Sequence, residues 1–282
     1  MDNRKTLELV KATREYIETA QHAMADALDA LGSFLDRMEE EALQGAEIVQ
    51  KAETWQPPTF AEVAAEIRSG HIDRYHCGDR IVLRTDGFGE IPFRVIGINC
   101  EELDRNPAAT PRPHLTVMAE HAVLYRWFDS PHKGFPFGCN AWVDSDLRAW
   151  LNRECLDSVI GGDRDAILPV LKATWFPEQK CLTKTQDYFF LPSASEVGFK
   201  PGSRGVEHEG ACYEYFKDAT GDYDDDEPLR QLTDLDGEGA YWWLRSPYPG
   251  GAHYVRLVHP DGALSYYYAN SGFGAAPACV IG

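Results

Sequence analysis

All 17 prolines of this 282-residue chain lie after position 56, so residues 1–54 can form a helix without interruption. Because two turns of α-helix take about seven residues, apolar residues seven positions apart predict one long helix with a single apolar stripe. That spacing is found at Val10, Ile17, Met24, Leu31 and Met38. The helix is expected to end at Trp55-Gln56-Pro57-Pro58, since proline lacks the amide donor and restricts the residue before it.

The stripe is compatible with two arrangements of this helix. Its heptad spacing fits a coiled coil, which would make the protein a homo-oligomer through residues 1–54. The alanines Ala20 and Ala27 and the flanking Leu28 and Leu35 fit equally well a helix that lies on another surface. The sequence therefore predicts a helical segment, residues 1–54, followed by a second domain, residues 55–282, and leaves the oligomeric state open.

After residue 58 the pattern becomes strand-like. A short helix is predicted from Thr59 to Arg68, with Thr59 as its N-cap, and another from Asp144 to Leu156. The predicted strands are short, apolar and bounded by Gly, Pro or Asp: Arg80–Leu83, Ile91–Ile98, His114–Met118, Phe189–Leu191, Tyr241–Leu244, His253–Val258, Leu264–Tyr268 and Ala278–Ile281. Long polar or glycine-rich loops separate them after Cys181. These features predict an α+β domain with an irregular, loop-rich second half.

Charge and cysteine usage narrow the functional classes. Lysine and arginine number 27 against 45 aspartates and glutamates, and the net charge of −18 repels nucleic acids and anionic membranes. With no apolar run of about 18 residues and no signal-peptide core, we expect cytoplasmic synthesis and no membrane insertion. Seven cysteines without a CxxC pair disfavour a disulfide framework and a structural zinc site.

Motifs for catalysis are missing from the sequence. There is no GxSxG elbow and no HExxH helix, and Gly87-Phe-Gly89 lacks the third glycine of a dinucleotide loop. The acidic residues between Asp222 and Glu238 do not follow the order of a calcium loop, and a solvated loop is the preferred interpretation. His71, His76 and Cys77 form only part of a metal ligand set and are interpreted as structural. We therefore predict no enzymatic activity, no cofactor and no metal.

The C-terminal segment is the most informative. It is rich in tyrosine, serine, asparagine and glycine, a composition that suits adaptable binding surfaces. Because neighbouring side chains on a strand point to opposite faces, Tyr266, Tyr267 and Tyr268 must place aromatic surface on both faces. An edge hairpin with a cross-strand aromatic ladder is the alternative. From Tyr248 to Gly282 the chain also contains no Lys, Glu, Gln, Met or Trp, the five residue types that a codon ending in a pyrimidine cannot encode.

Several motifs in order resemble a known family. Trp243-Leu-Arg-Ser-Pro247, Asp261-Gly262 and Gly274-Ala-Ala-Pro-Ala278 resemble the WLRSP…DG…GVRPA domain of phage and gut-bacterial proteins. Upstream, Asn140-Ala-Trp142 and Phe189-Phe-Leu-Pro-Ser193 are similar to further blocks of that family, and the resemblance covers roughly residues 59–282. Ala276 departs from the pattern, because many relatives carry arginine there.

The resemblance implies a C-type-lectin-like fold, similar to that of the formylglycine-generating enzyme, and a variable protein of a diversity-generating retroelement. In such systems a template repeat is copied with errors at adenines, which would account for the five missing residue types. The resemblance marks as diversified, ligand-binding positions Tyr248, His253, Tyr254, Leu257, His259, Ser265, Tyr266, Tyr267, Tyr268, Asn270, Ser271 and Phe273. It marks as scaffold Trp243, Leu244, Arg245, Val255, Arg256, Val258, Asp261, Gly262, Leu264 and Pro277.

The residues marked as scaffold have roles that can be predicted from their chemistry. Leu244 and Val255 are expected in the core, Arg245 is expected to pair with a carboxylate, and Asp261-Gly262 is expected to form the hairpin turn. A calcium-dependent sugar lectin is disfavoured, since Glu227-Pro228 is followed by Leu229 and no Trp-Asn-Asp occurs.

The predicted function is therefore a hypervariable receptor-recognition protein with an unidentified protein or surface ligand, displayed on a phage virion or a bacterial surface. The alternative is a phage structural or assembly protein in which the same surface is a fixed protein-protein interface. An oxidase comes third, because Cys279 is the only cysteine after Cys212, whereas the formylglycine-generating oxidase needs a reactive pair.

Overall fold

The computed structural model describes residues 56–104, 112–132, 134–220 and 226–282. The long helix predicted for residues 1–54 lies outside this range. Helix α1 (Phe60–Arg68) begins at Thr59, whose side chain accepts the Glu62 amide while the Glu62 carboxylate accepts the Thr59 amide at 2.8 Å. This reciprocal capping box confirms Thr59 as the N-cap. The four apolar residues of the helix that face the core are buried, namely Phe60, Val63, Ala64 and Ile67.

One sheet has six strands in the order β1-β2-β3-β15-β5, with β8 also paired to β15. Its strands are β1 (Arg80–Thr85), β2 (Gly89–Ile98), β3 (Leu115–Ala119), β5 (Ile167–Leu168), β8 (Phe189–Phe190) and β15 (Ala278–Ile281). Every residue of β15 is buried, because β3 pairs with one edge of this strand while β5 and β8 pair with the other. The strands predicted at positions 80–83, 91–98, 114–118, 189–191 and 278–281 are confirmed.

A second sheet has five strands in the order β13-β12-β11-β14-β4. They are β4 (Leu124–Arg126), β11 (Trp242–Pro247), β12 (Tyr254–Val258), β13 (Leu264–Tyr268) and β14 (Phe273–Ala275). All six residues of β11 are buried, and the strand departs from regular pairing with β12 between Trp243 and Pro247. The Trp243 indole donates to the carbonyl of Arg126 at 3.1 Å and so ties β4 to the centre of the sheet.

Two further hairpins complete the strands. β6 (Val170–Phe176) pairs with β7 (Cys181–Asp187), and β9 (Leu232–Thr233) pairs with β10 (Gly239–Ala240). The sequence pattern did not predict β6 and β7. In β7 only Thr185 and Asp187 are buried, so this strand lacks the apolar alternation by which half-buried strands are recognised.

The helix predicted at Asp144–Leu156 is present but interrupted. Helix α2 (Asp146–Trp150) starts at the N-cap Ser145, continues through a π turn (Leu151–Cys155) and ends in α3 (Leu156–Ser158). Helix α4 (Gly161–Ala166) follows, and its buried Asp163 accepts from both Arg84 and the Ala61 amide.

A contiguous hydrophobic core spans both sheets and the apolar face of α1. Leu244 and Val255, the two scaffold residues expected in the core, are both fully buried. The architecture is a mixed, strand-rich α+β fold, as the sequence predicts. Within the described ranges, no helix is long and apolar enough to cross a membrane.

Candidate ligand-binding surface

The hairpin of β12 and β13 is fixed by a glycine turn. Gly262 has φ +90°, and its amide donates to the His259 carbonyl at 2.8 Å, while Asp261 Oδ1 accepts the Ala263 amide at 2.9 Å. A Cβ at position 262 would lie 2.3 Å from the Glu227 carbonyl oxygen, so only glycine fits. The predicted role of Asp261-Gly262 in the turn is confirmed.

The register of this hairpin decides which tyrosines share a face. Tyr254 lies opposite Tyr268 and Arg256 opposite Tyr266, whereas Val255 lies opposite Tyr267. Residues that are directly opposite each other in an antiparallel pair point to the same side of the sheet. Tyr254, Tyr266 and Tyr268 therefore lie on one face, and Tyr267 lies on the other, so the prediction of aromatic surface on both faces is confirmed.

The first face carries a continuous cluster of six rings, which we call the tyrosine face: Phe137, Tyr248, His253, Tyr254, Tyr266 and Tyr268. Tyr248 and Tyr266 stack in parallel with centroids 3.8 Å apart, and His253 stacks on Tyr268 at 5.5 Å. Tyr254 joins the two pairs, with centroids 5.3 Å from Tyr266 and 4.8 Å from Tyr268. Its hydroxyl donates to that of Tyr268 at 3.2 Å, a hydrogen bond that raises the pKa of Tyr254.

On the second face, aromatic contacts lead from the surface into the core. Tyr267 is 50% exposed, and its ring lies 5.2 Å from that of Phe273, which in turn lies 5.1 Å from the buried Trp243. Tyr267 is thus half exposed to solvent, and its ring contacts Phe273 in an edge-to-face arrangement with an interplanar angle of 80°.

Eleven of the twelve candidate binding residues are accessible or half-buried. Leu257 is the exception. It is only 1% exposed, because it shares the inward face of β12 with Val255, and so a ligand cannot reach it in this structure. His259 lies at the far end of β12 from His253 and contacts Tyr241, with ring centroids 4.6 Å apart. The remaining candidates, Ser265, Asn270 and Ser271, are half-buried beside the tyrosines.

Asn140 connects the loop between β11 and β12 to the rest of the domain. Its side-chain amide donates to the carbonyls of Gly251 at 3.1 Å and Tyr254 at 3.0 Å, and its backbone amide donates to Ala252 at 2.7 Å. Asn140 is itself buried, so these hydrogen bonds form away from solvent. They hold the loop that carries His253 in one conformation.

Strand β11 also takes part in a buried ionic cluster. Arg245 is fully buried and pairs with both oxygens of Glu196, at 2.5 and 2.8 Å, which confirms the predicted pairing with a carboxylate. Lys172 Nζ lies 2.7 Å from Glu196 and 2.8 Å from Glu101. Burial alone would raise the pKa of Glu196, but the charges of Arg245 and Lys172 outweigh it and hold that pKa at about 2.

A third carboxylate, Glu209, borders the same cluster. It accepts the Trp175 amide at 2.9 Å and the Ser246 hydroxyl. Desolvation raises the pKa of Glu209 to about 7, because the attraction of Arg245 and these hydrogen bonds offset only part of it. Glu209, whose pKa is raised to near neutrality, is thus hydrogen-bonded to Ser246 of β11, the strand that leads to Tyr248.

Three further aromatic residues, which the sequence pattern did not single out, are exposed. Phe137 is 47% exposed and lies 4.9 Å from Tyr268, ring to ring. Tyr125 and Trp127 are each 51% exposed, on and just after β4, the opposite edge strand of the same sheet. Phe137 follows a glycine- and proline-rich stretch. This stretch could have indicated that Phe137 is exposed, because an aromatic residue in such a loop has no strand to bury it.

Metal ligands do not converge on this surface. Among the residues that the structure describes, no three His, Cys, Asp or Glu side chains are arranged to hold a metal ion. His71 contacts the Ser69 hydroxyl at 2.9 Å, and His76 lies 3.9 Å from Asp79. The arrangement offers aromatic faces, hydroxyls and imidazoles to a ligand, which suits binding by contact and hydrogen bonding.

Comparison with known proteins gives one match. Residues 123–282 match the family described as a domain of unknown function (DUF6273). No curated protein and no solved structure matches the chain. The matched range starts beside β4 and contains all five strands of the sheet that carries the tyrosine face, whereas α1, β1, β2 and β3 precede it.

Proposed function

We propose that this chain, which belongs to the DUF6273 family, is a ligand-binding protein whose contact surface is the tyrosine face together with Tyr267 and Phe273. The proposal includes a C-type-lectin-like scaffold and diversification of the surface by a retroelement, as in the proteins that the C-terminal motifs resemble. Binding is expected to be non-covalent.

The observation that carries this proposal is how the two groups of residues in positions 248–277 are distributed. The positions marked as diversified are exposed or half-buried except for Leu257, whereas the scaffold positions are buried except for Asp261. Sequence changes at accessible positions on a buried frame alter a surface without removing core contacts. This distribution supports a surface that can vary while the fold remains.

The composition of positions 248–282 supports diversification independently. The segment lacks the five residue types that codons ending in a pyrimidine cannot encode, although it contains histidine, arginine and aspartate. A surface selected only for a fixed interface has no reason to exclude glutamine and lysine together with tryptophan and methionine.

The energetics of the tyrosine face are those of a binding site. Tyrosine supplies a large contact area and loses little conformational entropy, since it has only two side-chain torsions. The stacking of Tyr248 on Tyr266 and of His253 on Tyr268 further restricts the rings before any ligand arrives. Pre-organised aromatic anchors of this kind typically dominate the free energy of binding.

Nucleotide sequencing of the surrounding locus tests the proposal. We expect a near-copy of the segment that encodes residues 241–282, with adenines at the codons of the accessible positions, and a reverse-transcriptase gene beside it. We also expect close relatives to differ mainly at those positions. If the near-copy is missing and substitutions are spread evenly over buried and exposed residues, the surface is a fixed interface, as in a virion assembly protein.

A further inference from the structure

A groove of about 630 Å³ lies at the β4 edge of the five-stranded sheet, outside the tyrosine face. β4 and the residue after it form one wall, and α2 with its π turn forms the other. Gly272, between β13 and β14, lies at its rim. The charged residues that line it are Arg126, Asp146, Arg153 and Glu154.

Three kinds of side chain line most of the groove. Tyr125, Trp127 and Trp150 supply aromatic surface, and two arginines and two carboxylates supply planar hydrogen-bonding groups. Among the described residues, no aliphatic side chain larger than that of Ala149 lines it. The formal charges of these described lining residues cancel, although the whole chain has a net charge of −18.

The arginines are available to a ligand. The Arg126 guanidinium lies 4.8 Å from the centroid of the Trp150 ring, so an indole supports it. Within the described part of the chain, neither Arg126 nor Arg153 forms an ion pair. A guanidinium stacked in this way keeps its N–H edge in a fixed plane, which suits two parallel hydrogen bonds to neighbouring oxygens.

The π turn contributes to the shape of the groove. Arg153 and Glu154 belong to the π turn Leu151–Cys155, and Trp150 directly precedes it. A π turn inside a helix is uncommon and is often found where side chains must be directed at a functional site. Here it accompanies a wall in which Trp150, Arg153 and Glu154 all line the same groove.

A second cavity shows the contrast. It is smaller, about 110 Å³, and is lined mainly by apolar residues such as Leu83, Ile91 and Leu124. A site that anchors an apolar peptide side chain would be expected to have that character. The groove beside β4 has the opposite character, and an anionic ligand would meet the carboxylates of Asp146 and Glu154.

We propose that this groove is a binding site for a neutral oligosaccharide. The apolar C–H face of a sugar ring would stack on Trp127 or Tyr125. Its hydroxyls, which both donate and accept, would pair with the donors of Arg126 and Arg153 and with the acceptors of Asp146 and Glu154. A neutral polyol satisfies both signs of charge in the lining, and it is not repelled by the negative chain. The proposal does not depend on diversification of the tyrosine face.

An array of neutral glycans tests this site on the full chain, followed by titration of the retained glycans while tryptophan fluorescence and heat are recorded. The array includes trisaccharides of glucose, galactose, mannose and N-acetylglucosamine, and the buffer contains a chelator of divalent cations. We expect at least one neutral glycan to bind and to change the tryptophan fluorescence, because Trp127 is half exposed.

Two groove variants and one control locate the binding. W127A is expected to lower the affinity at least about tenfold, and R153A about fivefold or more, because W127A removes one of the two proposed stacking rings and R153A removes one of the two proposed guanidinium donors. Both side chains are exposed, so the variants should melt close to the wild type. Y266A, on the tyrosine face, should leave glycan affinity unchanged.

The opposing outcomes are distinct. The proposal is overturned if no neutral glycan binds, if only sulfated or carboxylated glycans or an acidic peptide are retained, or if binding requires calcium. It is also overturned if Y266A abolishes retention while W127A does not. None of these results bears on whether the tyrosine face is diversified, which the sequencing of the locus decides.

Discussion

Strands β11 and β13 belong to the same sheet, but their side chains have opposite surroundings. Every residue of β11 is buried, and its Arg245 is neutralised by Glu196. In β13 only Leu264 is buried, and Tyr266 and Tyr267 are 41% and 50% exposed. Only strand β12 lies between them, so the change from fully buried to exposed side chains occurs across a single strand. Stability should therefore be concentrated on the β11 side, and sequence tolerance on the β13 side.

The largest effect is expected where the buried ion pair is broken. R245A removes the Arg245 ion pair with Glu196, so that the charge of this buried carboxylate is balanced by Lys172 alone among the described residues, and it removes hydrogen bonds to the carbonyls of Leu191 and Ala173. Removing one partner of a buried ion pair typically lowers the unfolding free energy by about 3–5 kcal/mol. We expect a loss of this size for R245A, measured by chemical denaturation. The exposed pair Lys184–Glu102 is the control, since K184A should cost less than about 1 kcal/mol. If R245A and K184A lower the unfolding free energy equally, the buried ion pair of β11 contributes no more to stability than the exposed pair does.

A pH-dependent effect of similar size is expected at Glu209. Its pKa is about 7 in the folded protein and 4.5 in its ordinary state, so the folded protein binds the proton more tightly than the unfolded chain. Stability from this group is fully present below about pH 4.5 and is lost as the pH rises to about 7, by about 3 kcal/mol.

The variant E209Q should remove this loss, because glutamine keeps an acceptor for Trp175 and has no proton to release. The measurement is the difference in unfolding free energy between wild type and E209Q from pH 4.5 to pH 8. E214Q, at an exposed carboxylate paired with Lys217, serves as the control and should show no such trend. A wild-type curve parallel to that of E209Q would contradict the prediction.

The loop between β11 and β12 should respond more moderately. N140A removes the side-chain donor to Gly251 and Tyr254 and leaves their carbonyls without this partner. The expected cost is about 1–3 kcal/mol, with faster hydrogen exchange at the Tyr248 and Tyr254 amides, which are bonded within this loop. N270A, on the same surface, should leave that exchange unchanged. Unaltered hydrogen exchange in N140A would show that the loop holds its conformation without the side-chain hydrogen bonds of Asn140.

The smallest effect on stability is expected at the exposed tyrosines. Replacing Tyr266 and Tyr267 together by alanine should lower the unfolding free energy by less than about 1 kcal/mol per site, as for other exposed residues away from the core. L257A on the adjacent strand is the buried comparison and should cost about 2–5 kcal/mol. If the tyrosine pair costs as much as L257A, these rings are part of the core, and the proposed binding surface is wrong.

Local signals in the sequence were sufficient for much of the fold. The capping box at Thr59, the Asp261-Gly262 turn and the apolar segments of β1, β2, β3 and β15 are each encoded within a few consecutive residues, and each is present. The burial of Arg245 was also predictable, because an arginine inside an apolar strand needs a carboxylate. The identity of that carboxylate could not be predicted from the sequence, because Glu196 lies 49 residues from Arg245 and only the folded chain brings the two together.

The missed features depend on contacts that are distant in the sequence. The hairpin of β6 and β7 has little apolar periodicity, and part of its role is to supply Thr174 and the Ala173 carbonyl to Arg245. The groove beside β4 combines residues near positions 125–130 and 146–154 with Gly272, and no local pattern indicates that grouping. Leu257 is different, because its alternation with Val255 on one strand was a local signal from which its burial could have been predicted. Its similarity to diversified positions led to the opposite assignment.

The position of β15 has a consequence for protein synthesis. This strand lies between β3 on one side and β5 with β8 on the other, so the six-stranded sheet cannot close until residues 278–281 have left the ribosome. All the proposed variable positions are translated before it. A copying error that shifts the reading frame among them removes β15, and the product should remain unfolded and be degraded. Under the proposed diversification, a chain that folds has therefore kept its reading frame through the whole segment proposed to vary.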